Sequence, residues 1–115
     1  MNGAAVRRWS RERPGATEET PFGPDVLVYK VAGKMFAVVA RNGRSATLKC
    51  DPLWAPALRA EHPAITAGYH ANKRHWNTVV LDGSVPSALV REMLEHSYTL
   101  VVDGLPRRLR KELRG

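Results

Sequence analysis

The apolar residues of this chain follow a helical period at the start and a strand period further on. Within residues 4–13, apolar side chains recur at helical spacing and arginines occupy the other face, which predicts a short first helix. Pro14-Gly15 ends this helix, because proline cannot continue the hydrogen-bond ladder and glycine turns freely. An acidic link at residues 17–20 and a turn-rich segment at residues 21–25 follow.

Beta-branched and aromatic residues then dominate, which predicts three strands. These strands cover residues 26–31, 35–40 and 45–50. The dipeptides Gly33-Lys34 and Asn42-Gly43 separate them as tight turns, and Asn-Gly favours a type I′ turn with a positive φ at both central residues. Alternation along the third strand places Lys49 on the open face of the sheet. Two tight turns between three strands predict an antiparallel meander.

The second half of the chain is expected to contain two helices with one strand between them. The first of these helices begins either at Pro52 or near Ala55, because proline is tolerated only in the first turn of a helix. Residues 63–73 are expected to form a loop, and residues 75–81 a fourth strand. The last clear helix runs to about Val102 with one apolar stripe.

The fourth strand alternates Trp76, Thr78 and Val80 on one face. Because burial of a tryptophan dominates local packing, we predict that this face is the inner one. The indole of Trp76 is then expected against the last helix, near Met93 or Leu94.

These elements define an α+β fold, a two-layer sandwich in which helices cover one face of an antiparallel sheet. Their order is helix, three strands, helix, strand, helix. A length of 115 residues fits a single domain over residues 1–115, with loose ends at 1–3 and 107–115.

The charge balance favours a polyanionic partner such as nucleic acid. Eighteen Lys and Arg residues against eleven Asp and Glu residues give a net charge of +7. No apolar run reaches the length of a transmembrane helix, and the first thirteen residues lack the apolar stretch of a secretion signal. We therefore expect a cytoplasmic protein that does not contact a membrane.

Residue chemistry does not point to an enzyme. The sequence contains no Gly-x-Ser-x-Gly, His-Glu-x-x-His or P-loop motif. Its single cysteine, Cys50, excludes an internal disulfide and is typical of a small core residue, with a nucleophilic Cys–His pair as the less favoured alternative. His70 and His75 have no acidic residue nearby in the sequence, so a metal site would need ligands from distant segments. We predict no catalytic residue, no cofactor and no metal.

The stretch that leads into the fourth strand is the most informative one for binding. Lys73, Arg74 and His75 are candidates for phosphate contacts, and Tyr69 and Trp76 are candidates for stacking on bases. The alternative is that both rings anchor the loop to the core while the cations are solvated.

Four further cations are candidate phosphate ligands. Lys34 lies at the first hairpin turn, and Arg41 and Arg44 flank the second. Exposed cations are common at turns, so Lys49 on the open sheet face is the more informative of the four.

The order and spacing of several segments resemble those of the MmcQ/YjbR family, over residues 4–113. The matching segments are Pro21-Phe22-Gly23-Pro24-Asp25, Lys30-Val31-x-Gly33-Lys34-Met35-Phe36-Ala37, Leu48-Lys49-Cys50-Asp51-Pro52, Pro63 with Gly68-Tyr69-His70, Asn72-Lys73-x-His75-Trp76-x-Thr78-Val79, Leu81-Asp82-Gly83 and Ser97-Tyr98-x-Leu100-Val101. Pro56 and Ala71 depart from the family pattern.

The resemblance implies an α+β fold like that of secretion chaperones and CyaY-like proteins, with a further short strand before the last helix. It also implies DNA binding through a double wing of hairpins, and no catalytic residue. Matched position by position, it selects Lys34, Lys49, Lys73, His75, Trp76 and Tyr98.

Two functions of different classes remain open at this point. One is a nucleic-acid-binding protein whose contacts are mainly electrostatic, with DNA as the partner. The other is an interaction domain that binds a protein or a small ligand with the open sheet face or with residues 63–73. A continuous positive patch favours the first, and an apolar groove with scattered cations favours the second.

Overall fold

The computed structural model describes residues 1–68 and 72–114. The helices are α1 (Gly3–Arg11), α2 (Ala55–Glu61), α3 (Ser87–Asp103) and α4 (Arg107–Arg114). The strands are β1 (Ala16–Glu19), β2 (Val26–Val31), β3 (Lys34–Ala40), β4 (Ser45–Lys49), β5 (Ile65–Ala67) and β6 (Trp76–Val80). Since every strand pair is antiparallel and the helices carry one common core, the predicted α+β sandwich is confirmed.

The six strands lie in the order β1-β2-β3-β4-β6-β5. The central β2-β3-β4 portion is the predicted meander. Strands β5 and β6 both lie between α2 and α3, in agreement with the further short strand that the family resemblance implies. The second helix begins at Ala55, so the later of its two predicted starts is the correct one.

The two hairpin turns differ from their predictions: the first lies at Ala32-Gly33, one residue earlier than the predicted Gly33-Lys34, and the second has a different turn type. Ala32 and Gly33 have φ values of 49° and 77°, so the short β2–β3 turn has the two positive φ angles that a type I′ turn requires. At the β3–β4 turn only Gly43 has a positive φ, 78°, and the type I′ prediction for Asn42-Gly43 is wrong. The loop there is longer, because β3 ends at Ala40 and β4 begins at Ser45.

Two strands lie where irregular chain was expected. The acidic link forms the edge strand β1, which pairs only with β2. Its exposed, charged residues are typical of a loop, but charged residues are also common at the unpaired edge of a sheet. The loop predicted at residues 63–73 contains β5, whose three residues are too few to show an alternating pattern.

The core lies between one face of the sheet and the helices. The core face carries Leu27, Tyr29, Phe36, Ala37, Val39, Ala46, Leu48, Ile65 and Val79, which contact residues of α1, α2 and α3. Cys50 belongs to this cluster, as predicted. The open face carries the alternate residues Thr17, Lys30, Val38, Thr47, Lys49, Trp76, Thr78 and Val80.

The predicted orientation of β6 is inverted. Asn77 and Val79 are buried on the core face, while Trp76, Thr78 and Val80 point to the open face. The buried amide of Asn77 is satisfied, because its Oδ1 accepts from Arg59 at 2.7 Å and its Nδ2 donates to the carbonyl of Ala55 at 3.2 Å. Because of these hydrogen bonds, Asn77 can be buried without an unsatisfied polar group. The prediction that Trp76 is buried near Met93 or Leu94 is therefore wrong, since Trp76 lies on the opposite face of β6.

The basic end of the chain forms α4 instead of an irregular tail. Leu113 packs against the core, and its Cδ2 lies so close to Gly15 that a Cβ there would be 2.6 Å from it. Arg110 donates to the carbonyl of Leu105 at 2.8 Å, and Arg114 pairs with Asp103. At the other end, the amino group of Met1 donates to Ser87 Oγ at 2.6 Å.

Candidate nucleic-acid interface

A cavity at one end of the sheet, between the strand ends and the last turn of α3, brings together three of the predicted binding residues. Its volume is about 370 Å³. It is lined by Lys34, Met35, Lys49, Trp76, Leu100, Val101, Gly104 and Leu105, and we call it the cationic cavity. Among the described residues that line it, two are lysines and none is acidic. Lys34, Lys49 and Trp76 therefore share one site.

Lys49 and Trp76 are direct cross-strand neighbours in the register of β4 and β6. Side chains at such positions have Cβ atoms about 5 Å apart, so the lysine stem lies beside the indole. Both side chains are half-buried, and the next pair along the two strands, Thr47 and Thr78, joins its hydroxyls at 2.8 Å. The geometry of this pair is thus fixed by the sheet ladder.

Gly68 leaves room for Trp76 on the side of β5. A Cβ at position 68 would lie 2.9 Å from Trp76 Cβ and 3.3 Å from Thr47 Cγ2. The Gly68 amide donates to the Trp76 carbonyl at 3.0 Å, so the two chains approach closely. Only glycine accommodates this approach without a shift of the tryptophan.

Ser97 ties α3 to the two strands beside the cavity. The pairing of β3 with β4 ends at Ala37 and Leu48, and the Ser97 hydroxyl occupies the place of the next ladder bond. Its Oγ accepts from the Lys49 amide at 2.9 Å and donates to the Phe36 carbonyl at 2.5 Å. This bridge brings the last turns of α3 against the two lysine-bearing strands.

Lys73, Arg74 and His75 lie at the same end of the sheet, directly before β6. Lys73 and Arg74 are exposed and His75 is half-buried. The His75 carbonyl accepts from the Cys50 amide at 2.7 Å, and Arg59 donates to the Lys73 carbonyl at 3.2 Å. Five of the seven predicted cationic or histidine ligands are therefore at one end of the molecule.

Arg59 and Asn77 position this loop, and neither was predicted from the sequence. Arg59 bridges the Lys73 carbonyl and the Asn77 amide, so it ties α2 and β6 to the chain that carries Lys73. An asparagine inside a predicted strand is the only sequence signal, and it becomes informative once the strand orientation is known.

Arg41 and Arg44 lie at the opposite end of the sheet. They follow the carboxyl end of β3, whose seven residues separate them from Lys34 by about 20 Å. The Arg41 guanidinium donates to the Pro24 carbonyl and so holds the turn at residues 21–25. These two arginines do not belong to the cationic cavity.

The two tyrosine candidates have different outcomes. Tyr98 is structural, because its hydroxyl donates to the Pro14 carbonyl at 2.7 Å and its ring meets Phe36 edge-on at 5.2 Å. Burial raises the pKa of its phenol. Tyr69 lies outside the described residues, as does His70.

A second depression lies beside the same stretch of α3 and has the opposite charge. It has a volume of about 670 Å³ and is lined by Asp51, Leu53, Trp54, Glu92, Glu95, His96 and Thr99; we call it the acidic groove. The indole of Trp54 meets the His96 ring edge-on at 4.8 Å. His96 Nε2 accepts from the Asp51 amide at 3.0 Å.

Burial lowers the pKa of His96, against the opposing effect of the nearby Asp51 and Glu92 carboxylates. Burial likewise raises the pKa of the Cys50 thiol to about 11, which keeps it protonated at neutral pH. In the part of the chain that the structure describes, no three His, Cys, Asp or Glu side chains come together as metal ligands. None of the helices within residues 1–68 and 72–114 is long and apolar enough to cross a membrane.

These features define an α+β protein with an open antiparallel sheet and a cationic cavity at one end of it. The profile of the YjbR family matches residues 11–100. The chain is 36% identical to the uncharacterized protein YbdF of Escherichia coli O157:H7, over 95% of this chain and 91% of that one. It is 35% identical to the uncharacterized protein YjbR of Escherichia coli K12, over 98% of both chains. The chain belongs to the YjbR family, which confirms the resemblance seen in the sequence.

Solved structures share its fold. The crystal structure of the Deinococcus radiodurans protein DR2400, with the domain named DUF419, matches with a TM-score of 0.88 and 40% identity. That match covers 96% of this chain and 86% of the other. The Pseudomonas syringae protein PsR293 matches with a TM-score of 0.74 over 87% of this chain and 98% of that one; at 24% identity this likeness concerns the fold alone.

Proposed function

We propose that this protein binds nucleic acid, DNA in the first place, with the end of the sheet that carries the cationic cavity. The role is one of binding, without catalysis, in the cytoplasm. The observation that carries the proposal is the convergence of Lys34, Lys49 and Trp76 on one cavity. Ammonium groups suit phosphates, and an indole suits the face of a base.

The surroundings of the cavity support an electrostatic contact. Lys73 and Arg74 are exposed beside it, and the net charge of +7 attracts a polyanion at long range. The exposed Arg107 and Arg108 begin α4, close after Leu105 in the cavity wall. Such contacts go to phosphates and carry little sequence information, so we expect weak sequence preference.

The test is a salt titration of fluorescently labelled DNA with the wild type and two double variants, Lys34→Ala/Lys49→Ala and Lys73→Ala/Arg74→Ala. Four phosphate contacts give a slope of about −3.6 for the logarithm of affinity against the logarithm of salt concentration on duplex DNA. Each double variant should weaken binding to all sequences about equally and flatten this slope by about 1.8.

The matched control is Arg41→Ala/Arg44→Ala, which removes the same two charges from the opposite end of the sheet. It should leave the slope nearly unchanged. Absence of binding at about 50 mM salt would refute the DNA-binding function and leave the interaction-domain alternative. Equal effects of all three double variants would mean that the contact is a diffuse field and not this site.

A further inference from the structure

We infer that the cationic cavity holds one unpaired nucleotide, with the base against Trp76 and the phosphate between Lys34 and Lys49. This inference rests on the proposed nucleic-acid function and specifies its ligand. It goes beyond an electrostatic contact, since it requires that a base leave the stack and enter the protein. The observations that carry it are the size of the cavity, its lining and its charge.

The size of the cavity suits a single nucleotide. Sites for small molecules range from about 300 to 1,000 Å³, and 370 Å³ lies near the lower limit. The turn between α3 and α4, at Gly104 and Leu105, forms one wall. A strand of several stacked bases therefore has no room beyond the first.

The lining offers an apolar place for the base and a charged place for the phosphate. The indole of Trp76, with Met35 and Leu100, forms an aromatic and aliphatic surface. Stacking on such a surface tolerates every base, because each base has a π-face. The two lysines are the only ionisable groups among the described lining residues, so the cavity carries two positive charges.

The carboxyl end of α3 would oppose an anion here, because the last carbonyls of a helix carry partial negative charge. Two arginines of α4 offset this partial negative charge. Arg110 donates to the carbonyls of Leu105 at 2.8 Å and Asp103 at 3.3 Å, and Arg114 pairs with the Asp103 carboxylate. The lysines of the cavity are thus not needed to cap α3 and remain available to a phosphate.

A cavity of this kind discriminates against duplex DNA. Bases in a duplex are paired and stacked, and extrusion of one costs a few kcal/mol, whereas a single strand presents its bases freely. We therefore expect single-stranded DNA to bind more tightly than duplex of the same length and charge at matched salt.

The first experiment compares two probes that differ only in the base, thymidine 5′-monophosphate and deoxyribose 5-phosphate. Both are titrated into the wild-type protein while the indole N–H signal of Trp76 is followed by NMR and assigned with the variant Trp76→Leu. The nucleotide should shift this signal saturably with one site per chain, and the sugar phosphate should bind at least about fivefold more weakly. Equal binding of the two probes would overturn the inference.

The second experiment measures single-stranded oligonucleotide binding by Trp76→Leu and by its matched control Trp54→Leu, the same substitution in the acidic groove. One stacked base corresponds to a loss of between about fivefold and 150-fold, which is expected for Trp76→Leu and not for Trp54→Leu. Circular dichroism of both variants verifies the fold. In the first experiment Trp76→Leu serves only to assign the indole signal, and both probes are compared on the wild-type protein.

Failure of this inference is distinguishable from failure of the proposed function. If DNA binds with the predicted salt slope but Trp76→Leu leaves affinity unchanged, the electrostatic function holds and the nucleotide site is wrong. If no DNA binds, both are wrong. If the mononucleotide binds as tightly as the oligonucleotide, the site is correct and its ligand is a free nucleotide.

Discussion

The cationic cavity and the acidic groove flank the same helix, and each contains a tryptophan, yet their charges are opposite. Trp76 lies with Lys34 and Lys49, whereas Trp54 lies with Asp51, Glu92 and Glu95 in the groove. An aromatic ring beside α3 therefore does not by itself indicate a site for nucleic acid. The charges around it decide which ligand each depression suits.

The two depressions also differ in how their tryptophans are held. Trp54 packs against the core and meets His96 edge-on, which is a structural role. Trp76 stands outside the core cluster, on the open face beside Lys49. This difference makes Trp54 a suitable control for Trp76. It also indicates which substitutions test whether the two depressions have separate roles.

The largest expected effect comes from Ser97, a buried residue of α3 that lines neither depression. Ser97→Ala removes the hydroxyl that joins the Lys49 amide to the Phe36 carbonyl, and leaves the buried carbonyl and the partly buried amide without this partner. An unsatisfied buried group costs about 1–3 kcal/mol, and the partly buried amide costs less because water can reach it. We therefore expect a loss of about 2–4 kcal/mol in the free energy of unfolding, measured by urea denaturation.

The matched control is Thr99→Ala, an exposed position on the same helix, which should change stability by less than about 0.5 kcal/mol. A similarly small change for Ser97→Ala would show that water replaces the hydroxyl and that the bridge does not fix the cavity wall. With the bridge lost, DNA affinity should also fall, because the α3 wall of the cavity is no longer tied to the strands that carry Lys34 and Lys49.

The meander could be predicted from the sequence because its signals are local. Turn residues lie between short β-branched runs, and each strand pairs with its neighbour in the chain. The turn type at Asn42-Gly43 was not predictable in the same way, because the register of β3 with β4 gives that loop four residues instead of two.

The candidate site depends on contacts that are distant in sequence. Lys49 and Trp76 are neighbours only because β6 pairs with β4. Apolar residues occur on both faces of β6, so the alternation of its residues does not reveal which face packs on the core. The orientation is decided by Asn77, whose amide finds Arg59 and the Ala55 carbonyl. Propensity cannot reveal such partners, which is why Lys49 was correctly placed and Trp76 was not.

A smaller effect is expected from removal of the negative charge of the acidic groove. Glu92 and Glu95 precede Val101 of the cationic cavity by six to nine residues of α3, or about 9–14 Å along the helix. At that range two charges in water interact with about 0.3–0.5 kcal/mol. The double variant Glu92→Gln/Glu95→Gln should therefore raise DNA affinity about threefold at low salt.

This gain should vanish near 0.15 M salt, where the screening length is about 8 Å. Fluorescence anisotropy at two salt concentrations measures it, with the wild type as reference. A gain that persists at the higher salt concentration would show that DNA contacts the acidic groove directly, and the separation of the two depressions would be wrong.

The smallest expected effect concerns the loss of stability at low pH. Burial lowers the pKa of His96 in the folded chain, and its Nε2 accepts from the Asp51 amide, which a protonated ring cannot do. The unfolded chain therefore binds a proton at higher pH than the folded one. The stability contributed by neutral His96 is complete above its ordinary pKa of about 6.5 and is lost as pH falls through the lowered pKa of the folded state.

The variant His96→Gln keeps an acceptor for the Asp51 amide but does not titrate. Thermal unfolding between about pH 5 and 8 should show the wild type losing stability on acidification more steeply than the variant, while the two converge in slope above about pH 7. The carboxylates of Asp51 and Glu92 oppose the shift, so the difference is expected to be small. Parallel pH profiles would mean that the ring turns to solvent when it is protonated, and that the hydrogen bond to Asp51 does not hold the wall of the acidic groove.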